Sequence, residues 1–189
     1  MRKILCVLFM VVMFSTNSFV QANESPSHAS SKFHKLDSTE LNKVRLKSEF
    51  KLLVPGNIPD NWTVELKVPY PFDSTRTIQN VRLHYFDKDE NYMFGIEQHK
   101  AIGYKLIKKH TYIDVRNNTS ETKDVEEDFK FDTSGDIIKF NGLEARFTPW
   151  GKSSTPGGSL RWIQEGTYIE IVSSEMSKKK MIKIAKSMK

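Results

Sequence analysis

Cysteine is nearly absent from this sequence, whose 189 residues contain a single one, Cys6. Cys6 lies inside the N-terminal apolar run and leaves with it if that run is cleaved. It is also badly placed for lipid modification, since a lipoprotein cysteine follows the apolar run. No disulfide is therefore available to restrain the unfolded chain, and the folded part must be stabilised by its hydrophobic core alone.

Motifs for catalysis are missing as well. No serine has the glycine-x-serine-x-glycine context of a nucleophile elbow. Gly151-Lys152-Ser153 ends like a nucleotide-binding loop, but Arg146 stands where that loop requires its first glycine. His84, His99 and His110 lack the helical spacing of a zinc protease. We therefore predict a protein that is not an enzyme and has no cofactor or metal site.

The excess of positive charge is small. Lysine and arginine number 29 and aspartate and glutamate 23, a net charge of +6. Subtracting Arg2 and Lys3 of the N-terminal leader, which contains no acid, leaves the rest of the chain near +4. Nucleic-acid binding would want a concentrated basic patch with interleaved aromatic residues. We predict no nucleic-acid partner.

Residues 1–22 have the three parts of a secretory signal peptide. Arg2-Lys3 is followed by an apolar run from Ile4 to Phe14 and by a polar exit with small residues at the cleavage subsites. We expect cleavage after Ala22, so that Asn23 is the new N-terminus. The run is shorter than the ~20 residues that span a bilayer, although an uncleaved anchor stays open if Phe19 and Val20 extend it. The expected location is secreted or cell-wall associated, with no transmembrane span in the mature chain.

Two regions follow the leader. Residues 23–48 are polar and have too little apolar surface to offset the entropy of ordering them, which predicts a flexible spacer. A short helix from Ser38 to Ser48 is the alternative there. Residues 49–189 are long enough for one domain with a substantial core.

Strand patterns dominate that domain. Alternating apolar residues and turn signals predict an α+β fold, an antiparallel β-sheet with a C-terminal amphipathic helix packed on it. Asn141-Gly142 is a strong hairpin turn. The predicted strands are Thr63 to Val68, Asn80 to Phe86, Tyr92 to His99, Asp136 to Phe140, Leu143 to Pro149, Leu160 to Ile163 and Thr167 to Val172.

The last hairpin and the helix after it form the clearest unit. Period-two alternation places four apolar side chains on one sheet face and Tyr168 and Glu170 on the other, as expected when only one side of a sheet is covered. Ser177 is the predicted N-cap of the helix, and an apolar stripe should cover Trp162. The four sheet residues are Leu160, Trp162, Ile169 and Ile171, and the helix stripe is Met181, Ile184, Ala185 and Met188.

Charged residues cluster in two places. The lysines of the terminal helix could contact an anionic wall polymer or a lipid surface, and the alternative is a merely solvated face. They are Lys178, Lys179, Lys180, Lys183, Lys186 and Lys189. Glu121 to Asp132 is rich in acids, but Gly135 falls after them rather than among them, so a solvated acidic loop is favoured over a calcium site.

Three groups of residues resemble a known family. They are Val54-Pro55-x-x-x-Pro59-x-x-Trp62, then Asn141-Gly142-Leu143-Glu144-Ala145, then Leu160, Trp162, Gly166, Tyr168 and Ile171 ahead of Ile184-Ala185-Lys186-Ser187. From about Phe50 to Lys189 the chain resembles an uncharacterised extracytoplasmic domain-of-unknown-function family of Gram-positive spore formers, found near anti-sigma and sporulation regulators.

That resemblance implies a curved antiparallel sheet with a packed helix, loosely like the lipoprotein-carrier fold, in which a concave face could hold an apolar ligand. It supplies no catalytic residues. The sequence departs from the pattern in having neither a transmembrane helix nor a cytoplasmic regulator segment. A secreted or wall-retained role therefore fits better than direct control of a sigma factor.

Three functions are compatible with the sequence. The leading one is a secreted, non-enzymatic domain that binds an unidentified ligand or partner in the cell envelope. The second is a carrier or sensor of lipid, which would need an open apolar cavity between sheet and helix. The third is a secreted hydrolase without a recognisable motif, which would need polar groups from several strands to converge in one cleft.

Overall fold

The computed structural model describes residues 38–67, 77–151 and 156–189, and these contain two helices and nine strands. The helices are α1 (Ser38–Lys47) and α2 (Lys178–Ala185). The strands are β1 (Thr63–Lys67), β2 (Asn80–Phe86), β3 (Tyr92–Lys100), β4 (Lys105–Asp114), β5 (Thr119–Asp128), β6 (Asp136–Phe140), β7 (Leu143–Pro149), β8 (Gly158–Gln164) and β9 (Thr167–Ser173).

Seven of these strands form one open, antiparallel sheet in the order β1-β2-β3-β9-β8-β7-β6, and β4 and β5 pair in a separate two-stranded sheet. The predicted class, an antiparallel sheet with a C-terminal helix, is confirmed. Neither helix of the described residues has the length and apolar content needed to cross a bilayer.

Two tight turns set the register of the β6–β7 and β8–β9 hairpins. Asn141 and Gly142 have φ values of 48° and 75°, and Glu165 and Gly166 have 50° and 77°. Positive φ at both central residues defines the type I′ turn, whose twist matches that of the flanking strands. The Asn141-Gly142 turn is therefore confirmed.

The inner face of the sheet holds the core. Leu160 pairs with Ile171 and Trp162 with Ile169, and all four side chains are fully buried. Helix α2 packs over β8 and buries Met181, Ile184 and Ala185. Ser177 caps the helix as predicted, its Oγ accepting a hydrogen bond from the Lys180 N–H. The predicted burial of Trp162 is confirmed.

The outer face is not left open, which corrects the expectation of a sheet covered on one side. Tyr168 is only 6% exposed because aromatic side chains surround it. His99 stacks on it at 4.6 Å between ring centroids, and Tyr104 stacks on the other side of His99 at 3.9 Å. The ring of Phe129, which follows β5, lies 4.7 Å from the Tyr168 ring, measured between centroids. These rings cover the centre of the outer face.

Helix α1 begins inside the region predicted as a spacer. Its Val44 belongs to the core at 7% exposure, and Ser48 forms a bridge to Ile78. The helix alternative is therefore the one found for Ser38–Lys47. Residues 1–37, which include the predicted signal peptide with Ala22 and Asn23 and most of the predicted spacer, lie outside the described residues.

The acidic segment is a strand, so the prediction of a loop is wrong for Glu121 to Asp128. It forms most of β5, and its partner β4 carries lysines that face the acids across the ladder. Lys105 Nζ lies 2.5 Å from Asp128, and Lys108 Nζ lies 2.5 Å from Glu127. Cross-strand pairs of opposite charge stabilise a hairpin. The described residues contain no group of three or more side chains able to hold a metal ion.

Residues 50–62 form an opening segment that is fastened to the sheet by a buried glutamine. Gln98 is fully buried, and its Oε1 accepts from the Leu53 N–H at 2.9 Å while its Nε2 donates to the Leu53 carbonyl at 2.8 Å. Val54 exchanges two backbone hydrogen bonds with Lys189. The segment is thus held between β3 and the C-terminus of the chain, which determines where residues 57–62 lie.

Candidate functional site

A mainly apolar cleft of about 380 Å³ opens between the opening segment and helix α2. Ligand pockets are concave, mostly apolar and roughly 300–1,000 Å³ in volume, so the cleft is of sufficient size for a small molecule. The lining residues are Asn57, Ile58, Pro59, Asp60, Trp62, Met93, Met176, Lys180, Lys183 and Ile184.

Three parts of the chain supply the walls: the opening segment, Met93 of β3, and the stretch from Met176 into α2. The opening segment contributes Ile58 and Trp62, which stand half-buried at the edge of the core. A turn in which the Trp62 N–H donates to the Pro59 carbonyl at 3.0 Å sets the course of this segment. The Trp62 ring packs on Phe94 of β3, with 6.1 Å between centroids. This wall of the cleft is therefore formed by packing of the opening segment against β3.

A buried serine positions the two methionines of the cleft. Ser173 is fully buried, and its hydroxyl donates to the Met93 carbonyl at 2.6 Å. The same oxygen accepts from the Met176 N–H at 2.9 Å. One hydroxyl thus joins the start of β3 to the residues before α2. Both methionines line the cleft.

Two lysines stand at the mouth of the cleft. Lys180 and Lys183 are exposed, and no carboxylate of the described residues lies within 4.0 Å of either ammonium group. Asp60 is the acidic member of the lining. The mouth therefore carries two free positive charges on the helix side and one negative charge on the opposite side.

Comparison with protein families gives a match over residues 53–188 to a domain of unknown function, DUF4367. The chain belongs to the DUF4367 family. The expected membership of a domain-of-unknown-function family is thereby confirmed. No curated protein and no solved structure matches the chain. The matched region begins at Leu53, which Gln98 holds, and ends at Met188, which bridges to Pro55.

The DUF4367 domain divides the predicted lysine cluster into different environments. Lys178 is an ion-pair partner, 2.7 Å from Asp136, and its ammonium lies 5.0 Å from the centroid of the Phe147 ring. Lys179, Lys183 and Lys186 follow one another at the four- and three-residue spacing of a single helix stripe, and all three are exposed.

Lys180 and Lys183 alone among these lysines line the apolar cleft. Lys189 forms two backbone hydrogen bonds with Val54. The sequence predicted one lysine cluster on this helix. The structure places Lys180 and Lys183 at the cleft and Lys179, Lys183 and Lys186 on one exposed stripe, so Lys183 belongs to both.

Polar groups also meet on the outer face of the DUF4367 sheet. The Tyr168 hydroxyl donates to Glu170 at 3.0 Å, and the Ser159 hydroxyl donates to the same carboxylate. Arg161 lies 3.0 Å from Asp132. Burial raises the pKa of Tyr168 and lowers the pKa of His99.

These outer-face groups are engaged with one another. Ser159 is 6% exposed and His99 is 2% exposed, so both residues are largely withdrawn from solvent. The Glu170 carboxylate already accepts from two hydroxyl groups. The arrangement suits a scaffold that holds the aromatic cover in place.

Sequence reasoning did not identify Ile58, Met93 and Met176 as parts of a site. For Met176 a signal was present, because it precedes the N-cap Ser177 and Met181 occupies the fourth helical position, the pattern of a hydrophobic staple. Met176 and Met181 do belong to one buried cluster. No comparable local pattern marks Ile58 or Met93, which come together with Met176 only through folding.

Proposed function

We propose that this DUF4367 protein is a secreted or wall-associated, non-enzymatic domain of a Gram-positive cell envelope, and that it binds a ligand in the cleft between the opening segment and α2. The observation that carries the proposal is an apolar cleft that stays open beside the filled interior between the sheet and α2. Small-molecule sites are typically concave, mostly apolar clefts with a few polar groups, which is the character of this cleft.

The extracytoplasmic location is supported by the N-terminal sequence. Arg2-Lys3, the short apolar run and the small residues before Asn23 have the order of a cleaved signal peptide. The domain that follows contains no cysteine, so its stability does not depend on the redox state of its compartment.

The cleft also bears on the carrier alternative. Between sheet and helix, Trp162, Ile169 and Met181 are fully buried, so that interior is filled by side chains. A carrier that holds a lipid between the sheet and the helix would need that space to be empty. What the fold offers instead is the smaller cleft at the side of α2, which favours one small ligand over a bulky lipid.

A neutral, environment-sensitive dye such as Nile red tests the cleft itself. The purified protein should bind it saturably with increased fluorescence. Ile58→Glu places a charge on the wall and removes a side chain whose burial is worth ~1.5–3 kcal/mol, so affinity should fall roughly tenfold or more. Ile137→Glu is the matched control, because Ile137 is 55% exposed on β6 and outside the cleft.

The proposal requires that Ile58→Glu weaken dye binding while Ile137→Glu leaves it unchanged, with circular dichroism showing that both variants stay folded. Absence of saturable binding by the wild type would refute it. An equal loss in the two variants would refute it as well, since the dye would then be bound elsewhere.

The outward lysine stripe favours an anionic wall polymer as an additional partner. Lys179, Lys183 and Lys186 present three exposed charges on one helix face. Such contacts are screened over roughly 8 Å at physiological ionic strength, so retention on isolated cell walls should fall as salt rises. Replacing all three with glutamine should remove that salt dependence. Unchanged retention would leave the stripe as a solvated face.

A further inference from the structure

We infer that the ligand of the cleft is a single-chain anionic amphiphile, a molecule of the fatty-acid class, whose hydrocarbon chain lies on the methionine wall while Lys180 and Lys183 bind its acidic head. The inference rests on the proposed function, because it names the chemistry of the ligand that the cleft is proposed to bind.

The wall of the cleft suits a flexible chain better than a rigid ring system. Met93 and Met176 face it, and the unbranched thioether of methionine adapts to ligands of varying shape. Trp62 adds a flat apolar surface at the edge of the core. A volume of about 380 Å³ is near the lower end of the range for ligand pockets, which accommodates a single chain.

The charge at the mouth selects the head group. Lys180 and Lys183 are three residues apart on α2, and Ile184 follows Lys180 by four, so the two ammonium groups and an apolar wall residue share one side of the helix. Long lysine side chains lie along apolar surface with their ammonium groups in water. A carboxylate above the chain would meet both donors in charge-assisted hydrogen bonds.

Asp60 determines the orientation of that head. Its carboxylate lines the opposite side of the cleft on the opening segment, where it repels an anion. The acidic head therefore lies toward α2. A cationic head would meet the reverse arrangement, with two repulsive lysines against one attractive aspartate.

The decisive experiment varies the head group on a constant chain. Dodecanoate, dodecanol and dodecyltrimethylammonium are titrated into the purified protein below their aggregation concentrations. Binding is followed by calorimetry and by tryptophan fluorescence, with Trp62→Phe identifying the signal from the cleft. The expected order of affinity is dodecanoate, then dodecanol, then the ammonium compound.

Two double variants test the lysines. Lys180→Gln with Lys183→Gln should reduce the preference for dodecanoate over dodecanol by about 2- to 30-fold, the range for two exposed ion pairs. Dodecanol affinity should stay unchanged. Lys179→Gln with Lys186→Gln is the matched control, since it removes the same charge from the same helix outside the cleft. This control should keep the preference.

The inference is overturned if dodecanol binds as tightly as dodecanoate, or if the control lowers the preference as much as the cleft variant does. It is also overturned if anionic vesicles bind while monomeric dodecanoate does not. In each case the proposed function survives as long as Nile red still binds and Ile58→Glu still weakens it. Failure of every apolar probe, dye included, would refute the cleft as a site altogether.

Discussion

Replacing Gln98 with methionine should loosen the opening segment and weaken the cleft along with it. Gln98 is fully buried and satisfies both backbone groups of Leu53, itself fully buried, at 2.9 and 2.8 Å. Methionine has a similar length but forms neither hydrogen bond. The Leu53 N–H and carbonyl would then be buried without these partners.

The size of the effect follows from those two groups. A buried polar group left unsatisfied costs ~1–3 kcal/mol, so the pair costs about 2–6 kcal/mol. The less polar end of methionine returns roughly 1 kcal/mol through better burial. A net loss near 3 kcal/mol lowers the melting temperature of a domain of this size by about 6–12 °C.

Thermal melts, amide exchange at Leu53 and dye binding together make the assay for Gln98→Met. We expect a lower melting temperature, faster exchange of the Leu53 amide and weaker binding in the cleft. Glu97→Gln is the control, because Glu97 lies on the same strand and pairs with Arg82 at the surface, where such a pair contributes ~0.2–1 kcal/mol. A melt of Gln98→Met within a degree or two of wild type, with Leu53 still protected, would refute the reasoning.

Three further predictions concern the core, the charged hairpin and the leader. Trp162→Ala should cost ~3–5 kcal/mol, measured by denaturant unfolding, because the fully buried ring leaves a cavity beside Phe140; an unchanged midpoint would contradict the packing of α2 on the sheet. The hydrogen bond from Lys105 lowers the pKa of Asp128 from 3.8, so this pair stabilises the β4–β5 hairpin above pH 3.8 and is lost as the pH falls through the depressed value. NMR titration of Asp128 should therefore show the depression in wild type and its loss in Lys105→Gln. N-terminal sequencing of the exported protein should begin at Asn23, and recovery of a membrane-bound form that retains the leader would instead identify an anchor.

The main sheet was predictable because its two faces differ in polarity along each strand. Asn80–Phe86 and Asp136–Phe140 begin and end where the sequence predicts. In β2, Val81 and Leu83 are fully buried while Arg82 is exposed. Each such strand turns one face into the core, so the period of two appears directly in the sequence.

Strands β4 and β5 were not predicted, because their two faces do not differ in polarity. Both faces of this ribbon meet solvent along most of its length, so no apolar alternation is required. Its pairing depends on side chains distant in sequence, such as Lys105 and Asp128. Read locally, the basic and acidic stretches are two unrelated clusters, and only their alignment across the ladder explains them.

The covered outer face was hidden from sequence reasoning in a similar way. Alternation correctly assigned Tyr168 to the face opposite Trp162. It could not indicate that Phe129, some forty residues earlier in the chain, returns to cover that face. From the sequence alone, an aromatic residue on the outward face of a sheet is expected to be exposed. Its burial can be foreseen only if the path of the distant segment that covers it is known.

The cleft and the core share the opening segment, and this links binding to stability. Gln98 fastens the segment at Leu53, and Ile58 and Trp62 reach the cleft a few residues later. A ligand that binds only the folded state stabilises it in proportion to the logarithm of its concentration above the dissociation constant. Lys180 and Lys183 contribute little to the stability of the unliganded fold, since they contact no carboxylate of the described residues. Changes at Gln98 should therefore alter stability and affinity together, whereas changes at Lys180 and Lys183 should alter head-group preference, and at Lys183 also wall retention, with little effect on the stability of the unliganded fold. This separates the residues that build the cleft from those that select its ligand.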